Sequence, residues 1–435
     1  MPVVLPVEVV PESAVLREAQ PRLLLITPPN SYRTAAYLAA ARRHAIDVLV
    51  ASQGRYSLVS ELAGGLQVDL GSPAALQQLL DANDRQAFAG VVATDDAVVE
   101  LGSRVAEALD LPHNPPEAAQ CSRRKDLSRQ VLAGAGVPVP GFRLVRLDRP
   151  VRPQIASIDY PCVVKPLALS GSRGVIRADD ADALLAAADR VRRILAVEYA
   201  RESALSMQVL VEDFVPGEEV ALEGMLHEGR LAVLAIFDKP DPLNGPYFEE
   251  TYYITPSRHP AGIRERVIRR IQQACTALGL REGPVHAEVR ISDGDGVILE
   301  VASRTIGGDC ARLLQFGTGQ GLEDMVISHA VGKPLPVRPQ AGGAGVLMIP
   351  IPRAGVLRRV EGIRAARAVP CVDDVMISLR DGYELVPLPE GASYLGFMFA
   401  RAPSAAEAEA ALREAHARLN IVVAPLMALR DERGS

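Results

Sequence analysis

Between Gly283 and Gly308 the chain spaces two carboxylates, two arginines and a histidine at intervals of two, the period of a β-strand. Over residues 286–291, His286, Glu288 and Arg290 fall on one face, while Val285, Ala287, Val289 and Ile291 fall on the other. The same alternation puts Ile298, Glu300, Ala302 and Arg304 on the polar face of a return strand and Val297, Leu299 and Val301 on its apolar face. An odd-length turn such as Asp293-Gly294-Asp295 then sets Glu288 directly opposite Glu300. Carboxylates so placed repel each other, and a divalent cation between them relieves the repulsion, since oxygen ligands are what Mg²⁺ takes. The plainer reading is a hairpin with one face in water, and the remaining segments argue against it.

The elements that must hold this hairpin follow from length and pattern. A chain of 435 residues accommodates two to four domains with their own cores. After an extension over residues 1–20, residues 21–114 read as an open, parallel α/β unit. It has strands at Leu23–Thr27, Asp47–Ala51 and Gly90–Thr94 and helices at Ser31–His44 and Asp95–Leu109. No GxGxxG follows its first strand, which removes the dinucleotide-binding reading. Two α+β lobes are expected over 115–205 and 206–335, and a β-rich carboxy-terminal domain over 336–435. One helix is expected from Glu117 to Ala135, two paired strands over 218–236 joined through His227-Glu-Gly229, and a helix over Ile263–Leu278. The span Asp238–Pro260 reads as irregular, a length that points to a lid or binding loop. Near the end, Pro403–Leu419 is an Ala/Glu helix suited to packing on a sheet.

Composition bounds the partners. Lys+Arg 47 against Asp+Glu 53, a net charge of −6, leaves no broad basic surface for nucleic acid. The five cysteines are scattered and contain no CxxC, which disfavours a disulfide framework or a zinc–thiolate site, and Cys162 reads as a core residue. The start Met-Pro-Val-Val-Leu-Pro lacks a basic region, and no uncharged apolar run of about 18 residues occurs. The expectation is a cytoplasmic protein that meets no membrane.

Four further segments carry polar chemistry. Lys125 lies in Ser122-Arg-Arg-Lys-Asp126 before an amphipathic helix, and alone it is a solvated lysine. Lys165 ends the apolar strand Pro161-Cys-Val-Val-Lys-Pro166 and therefore needs an anion, whether phosphate or carboxylate. The stretch 168–175, with Ser170, Gly171, Ser172 and Gly174, is rich in N–H and hydroxyl donors suited to phosphate oxygens, though it lacks a P-loop ending. Finally, Val211–Val220 leads from a strand through Glu212, Asp213, Phe214 and Val215 to Glu218 and Glu219.

In this order the five segments, over about residues 22–335, resemble the ATP-grasp superfamily. The resemblance implies that Lys125 and Lys165 reach nucleotide phosphates and that Ser170–Gly174 closes over them. It further implies that the backbone of Glu212–Val215 holds adenine, that Glu219 takes ribose hydroxyls, and that Glu288 and Glu300 bind Mg²⁺. Arg304 matches the arginine of the E-x-N-x-R segment. The usual Asn is here Ala302, so water, phosphate oxygens or Ser303 would complete the second metal's coordination. The E-x-A-x-R pattern, G-P-x-H-x-E upstream, Phe237-Asp-Lys-Pro and Gly245-Pro-Tyr-Phe-Glu-Glu-Thr251 look like the L-amino-acid ligase branch.

That branch implies an ADP-forming carboxylate–amine ligase acting on ATP and Mg²⁺, with amino acids or similar small acids and amines as substrates, and a homodimer. Arg304 would stabilise charge on the acyl oxygen, or else only pair with Glu300 or Asp309. His286 would orient Glu288, accept a proton, or pack. Lys239, Glu249 and Glu250 are candidates for reading substrate charge, and Gly307 and Gly308 for close approach to a substrate carboxylate. Two alternatives stand beside this reading: a carboxylase working through carboxyphosphate, and an ATP-binding module without turnover.

Overall fold

The computed structural model describes residues 20–29, 31–53, 64–199, 207–391 and 393–426, so the expected extension over 1–20 lies, but for its last residue, outside the described residues. Short, largely apolar runs form β1 (Arg22–Ile26), β2 (Asp47–Ser52), β3 (Gly64–Gln67) and β4 (Gly90–Ala93), a parallel sheet in the order β3-β2-β1-β4. The helices α1 (Thr34–Arg43), α2 (Ala75–Arg85) and α3 (Val99–Ala108) connect and cover it. Strand order reverses between β1 and β4, and in open α/β sheets the crevice at the carboxyl ends of such strands is where ligands sit. Tyr32 and Arg33 follow β1, and Asp95 and Asp96 follow β4.

The expected helix over 117–135 is two, α4 (Pro116–Arg123) and α5 (Lys125–Gly134), because Arg124 is extended at φ −95° and ψ 106°. The break turns the start of α5 toward the Gly/Ser loop, with Lys125 N–H donating to the Leu167 carbonyl at 3.4 Å. The first lobe follows: β5 (Phe142–Arg146), β6 (Cys162–Pro166), β7 (Ile176–Ala178), α6 (Ala181–Tyr199) and β8 (Gln208–Asp213), with sheet order β5-β8-β6-β7. Cys162 is fully buried in its core.

The second lobe has β9 (Glu218–His227), β10 (Arg230–Lys239), β11 (Tyr252–Thr255), α7 (Ala261–Leu278), β12 (Gly283–Ser292), β13 (Asp295–Ala302), α8 (Ala311–Thr318) and α9 (Leu322–Ala330). β11 corrects the irregular reading of 238–260: Tyr-Tyr-Ile-Thr is a short aromatic and β-branched run, and it pairs with β10 on one side. On its other side it pairs with β14 (Gly343–Ile349). After β14 come β15 (Gly355–Glu361), α10 (Ile363–Arg367), β16 (Val372–Ile377), β17 (Glu384–Leu385), β18 (Gly396–Ala402), α11 (Ala405–Ala417) and β19 (Asn420–Ala424). One sheet, β13-β12-β9-β10-β11-β14-β18-β16, thus runs from the β12–β13 hairpin into the carboxy-terminal strands, while β17-β15-β19 form a separate sheet. Ser404 caps α11 by accepting from Glu407 N–H, and the buried Ala408, Ala411, Leu412 and Ala415 pack it onto β14 and β18.

Candidate ATP and metal site

The hairpin β12–β13 places Glu288 opposite Glu300, by a different route from the expected odd turn. A two-residue turn, Asp293-Gly294, pairs Ser292 with Asp295, and a bulge beside Glu288 supplies the missing residue on β13. The bulge also reverses the expected alternation before Glu300. Ile298, expected beside the carboxylates, is fully buried against α7 with Val289 and Val301, whereas Leu299 lines the cavity.

That cavity, of about 690 Å³, lies between the two lobes and is closed by the first and last domains. It brings together most of the residues expected from sequence: Lys125, Lys165, Ser170, Gly171 and Ser172 from the first lobe, and Glu212, Asp213, Phe214, Val215 and Glu219 from the hinge. Glu250, His286, Glu288, Glu300, Arg304, Gly307 and Gly308 complete the set. Three expected residues stay off its wall. Gly174, at φ +71°, has its N–H taken by the Pro389 carbonyl at 2.9 Å, and a Cβ there would lie 2.7 Å from Pro166. Glu249 is half-buried outside the cavity. Lys239 is buried beneath it and cannot read substrate charge, because its ammonium is held by Glu219 at 2.7 Å, Glu250 at 2.6 Å and Glu288 at 2.9 Å.

One end of the cavity is built from the hinge. Asp213 and Phe214 donate their N–H groups to the Gly141 and Pro161 carbonyls, so Val215, whose N–H has no partner among the described residues, is the hinge donor left for a base. The Glu212 side chain has a task of its own. Its buried carboxylate lies 2.5 Å from Arg129 Nε and 2.6 Å from Lys165 Nζ. Burial raises its pKa, but Arg129 and Lys165 outweigh burial and hold it down at about 2. Lys165 therefore has the carboxylate its strand position demanded, with its ammonium at the cavity. Arg129→Met removes one partner of a pair whose side chains are each 1% exposed. Unpaired buried charge costs about 3–5 kcal/mol, and with Lys165 remaining a loss of about 3 kcal/mol in unfolding free energy is expected from urea denaturation.

Around the hairpin, charge is arranged in alternating layers. His286 sits between Glu223, 3.2 Å from Nδ1, and Glu288, 3.7 Å from Nε2. Burial opposes its protonation, but the two carboxylates outweigh burial and push its pKa up to about 9. Set between the two carboxylates, the imidazole is placed to orient Glu288. Burial would raise Glu288 as well, and Lys239 and His286 hold it well below the usual range. Glu250 is pushed up to about 7 by burial, with Glu288 adding to the shift against the pull of Lys239. Glu219 is fixed by Lys239 and by Arg290 Nε at 2.9 Å.

Glu300 differs from these acids: its nearest cation is Lys125 Nζ at 3.9 Å, and its side chain is 29% exposed at the cavity. A carboxylate facing Glu288 and lacking a close cation fits a hard divalent ion with oxygen ligands. Ala302 offers no ligand atom, and Ser303 does not substitute for one: its hydroxyl bonds to Ser122 Oγ at 2.8 Å and faces a different cavity.

Arg304 pairs neither with Glu300 nor with Asp309 as its closest partner. Its Nε lies 3.0 Å from Asp96 Oδ2, across the domain boundary. Burial would raise the Asp96 carboxyl, yet Arg304 holds it below the usual range. Asp95 is pinned nearby by Arg33, Ser31 and Thr94, and Tyr32 Oη accepts from Gly308 N–H at 3.0 Å. Tyr32, Arg33, Asp95 and Asp96, like Met348, Tyr394 and Phe397 from the last domain, line the cavity and were missed. For the acids a signal existed: two carboxylates directly after β4, at the sheet's switch point.

The loop over the cavity is latched from the far domain. Arg173 donates to the Glu390 carbonyl at 2.8 Å, and the Glu390 carboxylate takes a fork from Arg190 at 2.5 and 2.8 Å. The pair is over a third exposed, so it is worth about 0.2–1 kcal/mol. Glu390→Ala is therefore expected to raise the KM for ATP by up to about fivefold, with kcat little changed.

Two family models match the chain: an ATP-grasp domain over residues 158–312 and the L-amino acid ligase C-terminal domain 2 over residues 347–424. The y4rH protein of Sinorhizobium fredii is 30% identical over 346 residues, covering 79% of this chain and 70% of that protein. Dapdiamide A synthase of Enterobacter agglomerans is 27% identical over 236 residues, 54% of each chain. The crystal structure of an L-amino acid ligase from Bacillus licheniformis superimposes with a TM-score of 0.77 at 26% identity, covering 93% of this chain and 99% of that one. The chain belongs to the ATP-grasp ligases, in the group that carries the L-amino acid ligase carboxy-terminal domain. Ligases of this group form carbon–nitrogen bonds and release ADP, and the family uses ATP with a divalent metal.

Proposed function

We propose that the chain activates the carboxylate of an amino acid as an acyl phosphate and passes it to the amine of a second substrate, forming an amide or dipeptide. The observation that carries this reading is the Glu288–Glu300 pair at the lip of a cavity that also presents Lys125, Lys165 and Arg304. Mg²⁺ is the cation this donor set fits, and when bound it would neutralise phosphate charge and draw electron density from the transferring phosphoryl group.

The chain's own residues supply position and charge. Val215 N–H would take the adenine edge and Glu219 the ribose hydroxyls, leaving the triphosphate to run toward Lys125, Lys165 and the 170–172 loop. The substrate carboxylate oxygen attacks the γ-phosphorus and ADP departs. The amine nitrogen then attacks the acyl carbon, a proton leaves the nitrogen, and phosphate leaves the carbon. Negative charge on the acyl oxygen during that attack would meet the Arg304 guanidinium, held in place by Asp96. Closure by the Glu390 latch and the last domain excludes water that would hydrolyse the acyl phosphate. The apolar wall of Met348, Tyr394 and Phe397 supports a substrate with a nonpolar side chain.

The test is phosphate release with ATP and Mg²⁺ across a panel of amino acids, singly and in pairs, with products weighed by mass spectrometry. Amide product in step with ADP supports the ligase. ADP release that needs bicarbonate and yields no amide supports a carboxylase and contradicts it.

A further inference from the structure

A second cluster of ligating side chains lies away from the ATP cavity and shares no residue with its lining. His227 ends β9, Glu282 precedes β12, and His329 lies in α9, so three segments distant in sequence converge. Glu282 Oε2 is 3.0 Å from His329 Nε2 and 3.5 Å from His227 Nδ1, and the three ligand atoms all lie within 4.8 Å of one another. The imidazole rings are 5.3 Å apart, centroid to centroid, at 90°. Four ligand atoms arranged tetrahedrally at about 2.0–2.1 Å from an ion stand about 3.3 Å apart, and two imidazoles so bound have centroids about 5.2 Å apart. The cluster is close to that geometry already.

Its carboxylate is also held ready. Glu282 Oε1 accepts from Glu228 N–H at 3.0 Å, which leaves Oε2 to the imidazoles. The Glu282 peptide is clamped on both sides by Asn114, whose Nδ2 donates to its carbonyl at 2.8 Å and whose Oδ1 accepts its N–H at 2.9 Å. Such outer support is what orients a ligand before the ion arrives.

We propose that His227, Glu282 and His329 form a Zn²⁺ site outside the ATP cleft. Two imidazole nitrogens and one carboxylate oxygen suit Zn²⁺ and neighbouring transition metals and disfavour Mg²⁺, which takes oxygen. Three protein ligands leave a fourth position for water. The ion would staple the end of the β9–β10 hairpin to α9, which packs against α1 and β4 of the first domain. Its role is therefore to hold α9, the helix on which the first domain packs, onto the rest of the second lobe.

The test is equilibrium dialysis of the nucleotide-free full chain against Zn²⁺, with bound metal counted by mass spectrometry and melting temperature followed in parallel. The wild type and Glu300→Ala are expected to hold one Zn²⁺ per chain. In His227→Ala and His329→Ala the affinity is expected to fall by about tenfold or more, as even outer-shell changes do this. Zn²⁺ is expected to raise the melting temperature of the wild type and not of His227→Ala, whose side chain is mostly exposed and whose fold does not depend on it. Wild-type Zn²⁺ affinity in both histidine variants, loss of the ion in Glu300→Ala, or no stoichiometric binding by the wild type would overturn the proposal.

Discussion

Arg304→Ala is expected to slow amide formation by about 10²–10³-fold, the usual consequence of removing one donor aimed at developing oxyanion charge. The guanidinium is mostly buried, its Nε is held by Asp96, and its Nη1 donates to the Thr305 carbonyl at 3.0 Å. It therefore needs no reorganisation when charge appears beside it. Arg304→Lys keeps the charge but loses the planar fork that Asp96 orients, so it should restore only part of the rate. The loss belongs in kcat, with the KM for ATP near its original value, because Arg304 would act on the acyl group. Single-turnover rates at saturating ATP would show this, and a wild-type kcat in Arg304→Ala would refute the assignment.

Glu300→Ala should be at least as severe, for a different reason. A bound divalent ion supplies several kcal/mol of transition-state stabilisation, which at about 1.4 kcal/mol per tenfold corresponds to about 10²–10⁴ in rate. The fold should not suffer. Glu300 is partly exposed, its nearest cation among the described residues is Lys125 at 3.9 Å, and its removal also relieves repulsion from Glu288 across the hairpin. Activity lost together with an unchanged or slightly raised melting temperature in metal-free buffer is the expected pair of results. A chelator should abolish turnover of the wild type and leave nothing further to lose in the variant. If Glu300→Ala retained metal-dependent turnover, the ion would have to be held elsewhere.

Much of this site was readable because its chemistry lies on strands, where residue period and face are locked together. Glu288, Glu300 and His286 needed only the alternation of β12 and the composition of its partner. The bulge was not readable, since one extra residue in a ladder leaves no mark in the apolar pattern of Val297 to Val301, and it exchanged the places of Ile298 and Leu299. Likewise the break at Arg124 rests on one residue's backbone angles and not on a proline or glycine. Tyr394 and Phe397 reach the cavity through domain packing, which no local spacing encodes. Lys239 was misjudged because a lysine in a polar stretch reads as exposed, while β10 carries it beneath three carboxylates that together keep its ammonium charged.

Whether Glu288 and Glu300 grip one divalent ion against the nucleotide phosphates is tested most directly by crystals grown with Mn²⁺ and a non-hydrolysable ATP analogue, through the anomalous signal of manganese. A manganese peak is expected between the two carboxylates, about 2.0–2.3 Å from an oxygen of each, and in contact with the phosphates. Manganese bound to the phosphates alone, with both carboxylates turned away, would contradict it.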